Sequence, residues 1–155
     1  MPQTPIRILF VCHGNICRST MAEFVLKDMV ARRGLTEQFH IESAATSTEE
    51  IGNPVHPGTA AVLREHGIGG FEGKRARQLR RADYDSFDFI IGMDTANIRN
   101  MNWILGGDSG GKVFKLLEFA GTNRSVDDPW YTGDFETTYA DVCDGCEGLL
   151  GYLGV

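Results

Sequence analysis

The sequence predicts an α/β fold, a doubly wound parallel sheet flanked by helices, in one domain spanning residues 1–155. Three observations carry this expectation. Short, nearly continuous apolar runs alternate along the chain with amphipathic stretches, as they do where strands are covered on both faces by helices. The 155 residues are 42% hydrophobic, enough to bury one core without disulfide or metal staples. No repeat, charge block or linker divides them, and the glycine-rich patches Gly67 to Gly73 and Gly106 to Gly111 read as surface turns.

The first run, Ile6-Arg7-Ile8-Leu9-Phe10-Val11, is the central strand of this reading. Beyond a turn, Ala22, Val25, Leu26 and Met29 recur at helical spacing, and Gly34 stands where a helix C-cap belongs. A second strand runs from Phe39 to Ala44. The next helix begins near Pro57, whose fixed φ suits a first turn, and closes before Gly67. Phe87 to Met93 reads as a buried strand, with Asp94 or Thr95 capping a helix that includes Ile98 and Met101. Val113 to Phe119 supplies a fourth strand. A last helix from about Phe135 to Leu153 presents Val142, Cys146, Leu149 and Leu153 on one side. In such a sheet a ligand binds beyond the carboxyl ends of the strands.

A net charge of -6 argues against the broad basic footprint that a nucleic-acid or membrane partner requires, so any phosphate binding must be local. No segment reaches membrane-spanning length and no secretory signal is evident, which points to the cytoplasm. There the four cysteines stay reduced and read as catalytic, redox-active or buried thiols. His13, His40, His56 and His66 lack metal-ligand spacing, so neither metal nor cofactor is expected and none of the four is assigned to catalysis. Asp83, Asp85 and Asp88 read as a solvated edge.

The chemistry sits at the end of the first strand, in Val11-Cys12-His13-Gly14-Asn15-Ile16-Cys17-Arg18-Ser19-Thr20. A loop entering a helix turns several unpaired N–H groups inward, and with the helix dipole they form an anion site that fits a phosphoryl group. Gly14 and Asn15 tolerate the left-handed backbone such a nest requires. Arg18 adds a planar fork for two phosphate oxygens. Cys12 lies at the base, where the positive field favours the nucleophilic thiolate, and Ser19 can donate a hydrogen bond to its sulfur. Cleaving a phosphate ester also needs a proton for the leaving oxygen. Val126-Asp127-Asp128-Pro129-Trp130-Tyr131 offers an acid beside two aromatics that can wall a flat ring, although by itself it reads equally as an Asp-Pro turn.

Together these two segments closely resemble the low-molecular-weight protein tyrosine phosphatases. The resemblance extends through Glu42-Ser43-Ala44-Ala45-Thr46, Leu63 to Ile68, Arg75 to Leu79 and Phe87 to Asp94. It implies a four-stranded parallel sheet and a metal-free double displacement on phosphotyrosine proteins or small aryl phosphates. In that scheme Cys12 is the nucleophile, Arg18 and the loop amides hold the phosphate, and Asp128 is general acid, then base. It further implies that Asn15 and Ser43 keep the loop in shape and that Trp130 lines the pocket. Tyr131 takes the place of a residue that is itself phosphorylated in some relatives, with a cognate tyrosine kinase as a possible partner. Cys17 either pairs with Cys12 in a protective disulfide under oxidants or is a small packed thiol. Departures from the family pattern are Thr20 in place of proline, Glu49 in place of a pocket aromatic, and Lys74 near a network histidine. Substrate preference is what they bear on. His13 is expected at the rim.

Related activities are weighed on single residues. A phosphoarginine phosphatase of this kind carries threonine where Ile16 stands, and an apolar side chain suits a phenyl ring better than a guanidinium, so phosphotyrosine is favoured. An arsenate reductase needs two further relay cysteines, and none lies between Cys17 and Cys143. Cys143 and Cys146 fall in the last helix and read as buried or half-buried thiols. Gly106 to Lys112 imitates a nucleotide-binding loop, but Val113 replaces the magnesium-binding hydroxyl and a strand follows instead of a helix. A phosphate-binding adaptor without turnover is the remaining rival, and nothing a catalyst needs is missing.

Overall fold

The computed structural model of the chain describes residues 4–155. Its strands β1 (Ile6–Cys12), β2 (Phe39–Ala45), β3 (Phe89–Gly92) and β4 (Val113–Lys115) form one parallel sheet in the order β2-β1-β3-β4. β1 is central, as its unbroken apolar run requires. Helix α1 (Arg18–Arg32) follows β1, α2 (Pro57–Glu65) and the single turn α3 (Asp83–Ser86) follow β2, and α4 (Thr95–Leu105) follows β3. The turn α5 (Pro129–Thr132) and the long α6 (Phe135–Leu153) close the chain. None of the described helices is long and apolar enough to cross a membrane.

The two-residue period of β1 divides the core. Ile8, Phe10 and Cys12 face the layer built by Met21, Val25 and Leu26 of α1 with Val142, Leu149 and Leu150 of α6. Leu9 and Val11 face the opposite layer, with Ile90 and with Met101 and Leu105 of α4. Cys12 therefore points to the side on which α1 returns, and this parity aims the sulfur at the loop that follows it.

Several elements differ from expectation. The fourth strand ends at Lys115, and Leu116–Ala120 is a 3-10 helix instead of strand. Leu116 and Leu117 are both fully buried within this turn, and the Glu118 carboxylate accepts from the Lys115 N–H (2.9 Å) to close it. α6 packs closely on this turn because Gly145 and Gly148 face it: a Cβ at Gly148 would lie 2.1 Å from the Phe119 carbonyl oxygen. β3 begins at Phe89, not Phe87, because the Phe87 N–H still closes α3 on the Asp83 carbonyl (3.2 Å). Asp83 is no part of a solvated edge. It is buried, accepting from both terminal nitrogens of Arg77 and from the Arg80 N–H (2.8 Å). Asp88 is held by Arg7 (3.0 Å), and Asp85 alone of the three is exposed. The segment Gly106 to Lys112 lies at the amino end of β4, away from the ligand crevice. Its Lys112 Nζ is tied to the Tyr84 carbonyl (2.6 Å).

Candidate active site

The connection from β1 to α1 wraps the Cys12 sulfur. Among the described residues Asn15 is the one non-glycine with positive φ, at 58°. Gly14, expected to share that conformation, does not; it lies close under the Glu50 side chain, where a Cβ would come 3.3 Å from Cγ. The Asn15 side chain holds the bend from inside, donating from Nδ2 to Ser19 Oγ (2.8 Å) and Ser43 Oγ (2.9 Å) and accepting at Oδ1 from the Arg77 N–H (3.2 Å). Ser19 Oγ, which accepts from Asn15, also lies 3.1 Å from Cys12 Sγ, within reach to donate its hydroxyl proton when the sulfur is a thiolate. The Ser19 N–H also points at the sulfur (3.4 Å).

Ser43 passes its own proton to Glu23, which is 3% exposed and also accepts from Lys27 (2.6 Å). Lys74 Nζ donates to the Ser43 carbonyl (2.8 Å) and lies 3.6 Å from Glu23. Burial pulls the Lys74 pKa below its usual range despite the attraction of Glu23. Thr20, in the place of proline, returns its hydroxyl proton to the Ile16 carbonyl (2.8 Å) within the first turn of α1. The loop is thus fixed from beneath through Asn15, whose partners, two serine hydroxyls and the Arg77 backbone N–H, sit 4 to 62 residues away in sequence.

Arg18 is 2% exposed. One terminal nitrogen donates to Asp94 (2.7 Å) and to the Val126 carbonyl (3.0 Å), the other to Asp128 (3.4 Å), while its buried Nε–H has no protein partner. Burial opposes the guanidinium charge, but Cys12, Asp94 and Asp128 outweigh it and hold the pKa above the ordinary arginine value. Asp128 caps α5 by accepting from the Trp130 N–H (3.1 Å), so the expected Asp-Pro turn is the start of a helical turn that carries both aromatics. Cys17 is 5% exposed, and burial, reinforced by the charges of Cys12 and Asp128, pushes its thiol up to about 12.

These groups surround a pocket of about 360 Å³ whose floor is Cys12, Gly14, Ile16, Cys17 and Arg18 and whose walls are Asp128, Trp130 and Tyr131. His13, Glu49 and Glu50 complete the rim, with His13 Nε2 2.9 Å from the Glu49 carboxylate. Among the described residues the N–H groups of residues 13–17 find no protein acceptor. Pocket-lining donors without acceptors and an orphaned guanidinium N–H around one sulfur make a seat for a tetrahedral anion. Every residue expected at the site from sequence is gathered here, Asn15, Ser19 and Ser43 behind the floor and the others on it or around it.

A family profile described as low molecular weight phosphotyrosine protein phosphatase matches residues 7–154. The chain belongs to this family. It is a protein-tyrosine phosphatase, a hydrolase of phosphate monoesters. The phosphatase is 42% identical to the low molecular weight protein-tyrosine-phosphatase YfkJ of Bacillus subtilis over 150 residues, 96% of each chain. It is 39% identical to the low molecular weight phosphotyrosine protein phosphatase of Schizosaccharomyces pombe, over 94% of this chain and 95% of that protein. The crystal structure of YfkJ from Bacillus subtilis matches its fold with a TM-score of 0.94 at 40% identity, covering 99% of this chain and 98% of that one.

Three residues of the phosphatase's site escaped the reading of the sequence. Asp94 is visible in the sequence as a helix cap but not as a partner of Arg18, and Glu23 and Glu50 are not singled out there at all. Asp94 could have been found from topology, since it follows the carboxyl end of β3, the strand beside β1.

Proposed function

We propose that Cys12 is the nucleophile, Arg18 the phosphate clamp and Asp128 the proton donor and acceptor of the phosphatase reaction, with residues 1–155 acting as one catalytic domain. The sulfur attacks phosphorus and the ester P–O bond breaks. Asp128 gives its proton to the departing oxygen. A water then attacks the phosphocysteine, Asp128 takes the water's proton, and the S–P bond breaks to return a thiolate steadied by Ser19. The developing charge on the equatorial oxygens is met by the loop N–H groups and by the Nε edge of Arg18. The unpartnered, buried Nε–H of an arginine whose outer nitrogens are held by Asp94, Val126 and Asp128 is the observation that carries this reading, because a desolvated donor without an acceptor is costly unless a ligand supplies one.

Phosphotyrosine is the favoured substrate. Ile16 and Trp130 offer apolar faces to a ring, and a pocket of this depth suits an aryl ester. A tyrosine kinase that produces the substrate is the implied partner, and the free cysteines suit the cytoplasm. The test is hydrolysis of an aryl phosphate by wild type, Cys12→Ser and Asp128→Asn, with and without a chelator. Expected are near-total loss for the first, a drop that grows with leaving-group pKa for the second, and indifference to the chelator. Turnover by Cys12→Ser would reject the assignment, and faster cleavage of phosphoarginine than of phosphotyrosine would reject the substrate.

A further inference from the structure

The ring of His56 stands behind two of the pocket's faces, and no step above uses it. Its backbone N–H donates to the Ile16 carbonyl (2.9 Å), and its Nδ1 accepts from the Gly58 N–H (2.9 Å), which caps α2. The imidazole lies flat on Phe135, with ring centres 5.1 Å apart and planes 17° apart, and meets Trp130 edge-on at 5.7 Å and 77°. Phe135 in turn packs on the Ile16 and Cys17 side of the loop. It can lie there because position 58 is glycine: a Cβ would fall 2.4 Å from its ring. Trp130 is 58% exposed, so general core packing does not hold it, and its aromatic neighbour is His56. The His56 ring, through Phe135, therefore links the nucleophile loop at Ile16 to the wall at Trp130.

We propose that His56 is a positioning residue that sets the gap between Ile16 and Trp130, and through that gap the preference of the site for flat aryl phosphates. This rests on the reading that those two side chains flank the substrate ring. His56 touches neither phosphate nor the reacting atoms, so its influence falls on the ring and not on the anion. An edge-on aromatic contact stiffens Trp130 by an amount that corresponds to about a two- to tenfold change in binding.

Two substitutions separate the ring from the cap. His56→Asp keeps a side chain that caps a helix well but has no ring, whereas His56→Phe keeps a ring but cannot accept from Gly58. For His56→Asp, the expected result is a Tm close to wild type and a KM for phenyl phosphate raised about two- to tenfold. Its kcat should stay within about twofold, and inhibition by inorganic phosphate, which needs only the cradle, should be unchanged. For His56→Phe, KM should return close to the wild-type value while Tm falls by roughly 2–4 °C. An unchanged KM in His56→Asp overturns the inference, as does a parallel rise in KM and in the phosphate inhibition constant, which is what general loosening would give. Should His56→Asp not fold, His56→Asn, which also caps a helix well and lacks the ring, takes its place: a raised KM with unchanged phosphate inhibition supports the inference and an unchanged KM overturns it. Failure of the parent reading looks different, because Trp130→Ala would then leave the KM for phenyl phosphate unchanged.

Discussion

At the scale of single residues, the site works by leaving selected hydrogen-bonding groups free while neighbouring groups are fully occupied. Asn15 Nδ2 donates to Ser19 Oγ, which lies 3.1 Å from the Cys12 sulfur, and Asp94, Val126 and Asp128 hold the outer nitrogens of Arg18 while its Nε–H keeps no protein acceptor. Asp94 also caps α4 through the Asn97 N–H (2.7 Å), so its two roles need separate tests. Asp94→Asn keeps a good cap but removes the charge that holds Arg18, and kcat/KM for aryl phosphates should fall about tenfold or more. Its Tm should also drop, and saturating phosphate should restore part of the loss by supplying Arg18 with a counter-charge. Steady-state kinetics and thermal melts with and without phosphate check this, and wild-type kcat/KM in the variant would remove Asp94 from the machinery. Asp128 reads equally as an Asp-Pro turn and took its expected role from the family resemblance, whereas Cys12, Arg18 and Ser19 were visible in the sequence because their signal is local to one loop. Glu23 was not, because a glutamate on a helix is marked as buried only by what packs over it: Ser43, Lys27 and Lys74.

At the scale of elements, the strands and helices around β1 followed their apolar periodicity, and the departures have definite causes. β4 is three residues long because Glu118 folds back onto the Lys115 N–H and starts a 3-10 turn, whose buried Leu116 and Leu117 α6 then covers. That cover depends on Gly148. In an exposed helix interior glycine to alanine would stabilise by about 1 kcal/mol. Here the added methyl would meet the Phe119 carbonyl at 2.1 Å, backbone that cannot swing aside, so Gly148→Ala should destabilise by about 1–3 kcal/mol. Chemical denaturation checks the sign, and a more stable variant would show that α6 is free to shift. The Asp128 loop is likewise tied to α6, by the two-pronged contact of Arg124 with the buried Asp141 at 2.9 and 2.8 Å. Neither residue carries a local signal of that pairing, since it joins a loop to a helix 17 positions on.

At the scale of the whole molecule, the buried thiols fix how stability responds to alkali. Burial raises Cys17 from an ordinary 9.0 to about 12 and lifts the fully buried Cys146 well above the same value, while desolvation and a hydrogen bond to Cys143 bring Tyr139 up to about 12. Between about pH 9 and pH 12 the folded chain keeps protons that the unfolded chain releases, so stability is full below pH 9 and falls as the pH rises through that window. Urea midpoints measured from pH 7 to pH 11 should decline above pH 9, and Cys17→Ser, which removes one titrating group, should flatten the decline. An unchanged slope in that variant would take Cys17 out of the account.

The sequence by itself determined the local parts: the apolar run of β1, the change of period at α1, and a ten-residue loop in which nucleophile, bend and guanidinium come in a set order. These are legible because strand parity, helix entry and the reach of a loop depend on near neighbours along the chain. Only the tertiary structure decided which acids hold Arg18, what supports Ser43 and what braces Trp130. Those partners meet because the strand order β2-β1-β3-β4 brings the carboxyl ends of β1 and β3 side by side and because α6 folds back under α1. Such adjacency is set by how the whole chain buries its apolar surface, a global minimum that no short stretch of residues encodes alone.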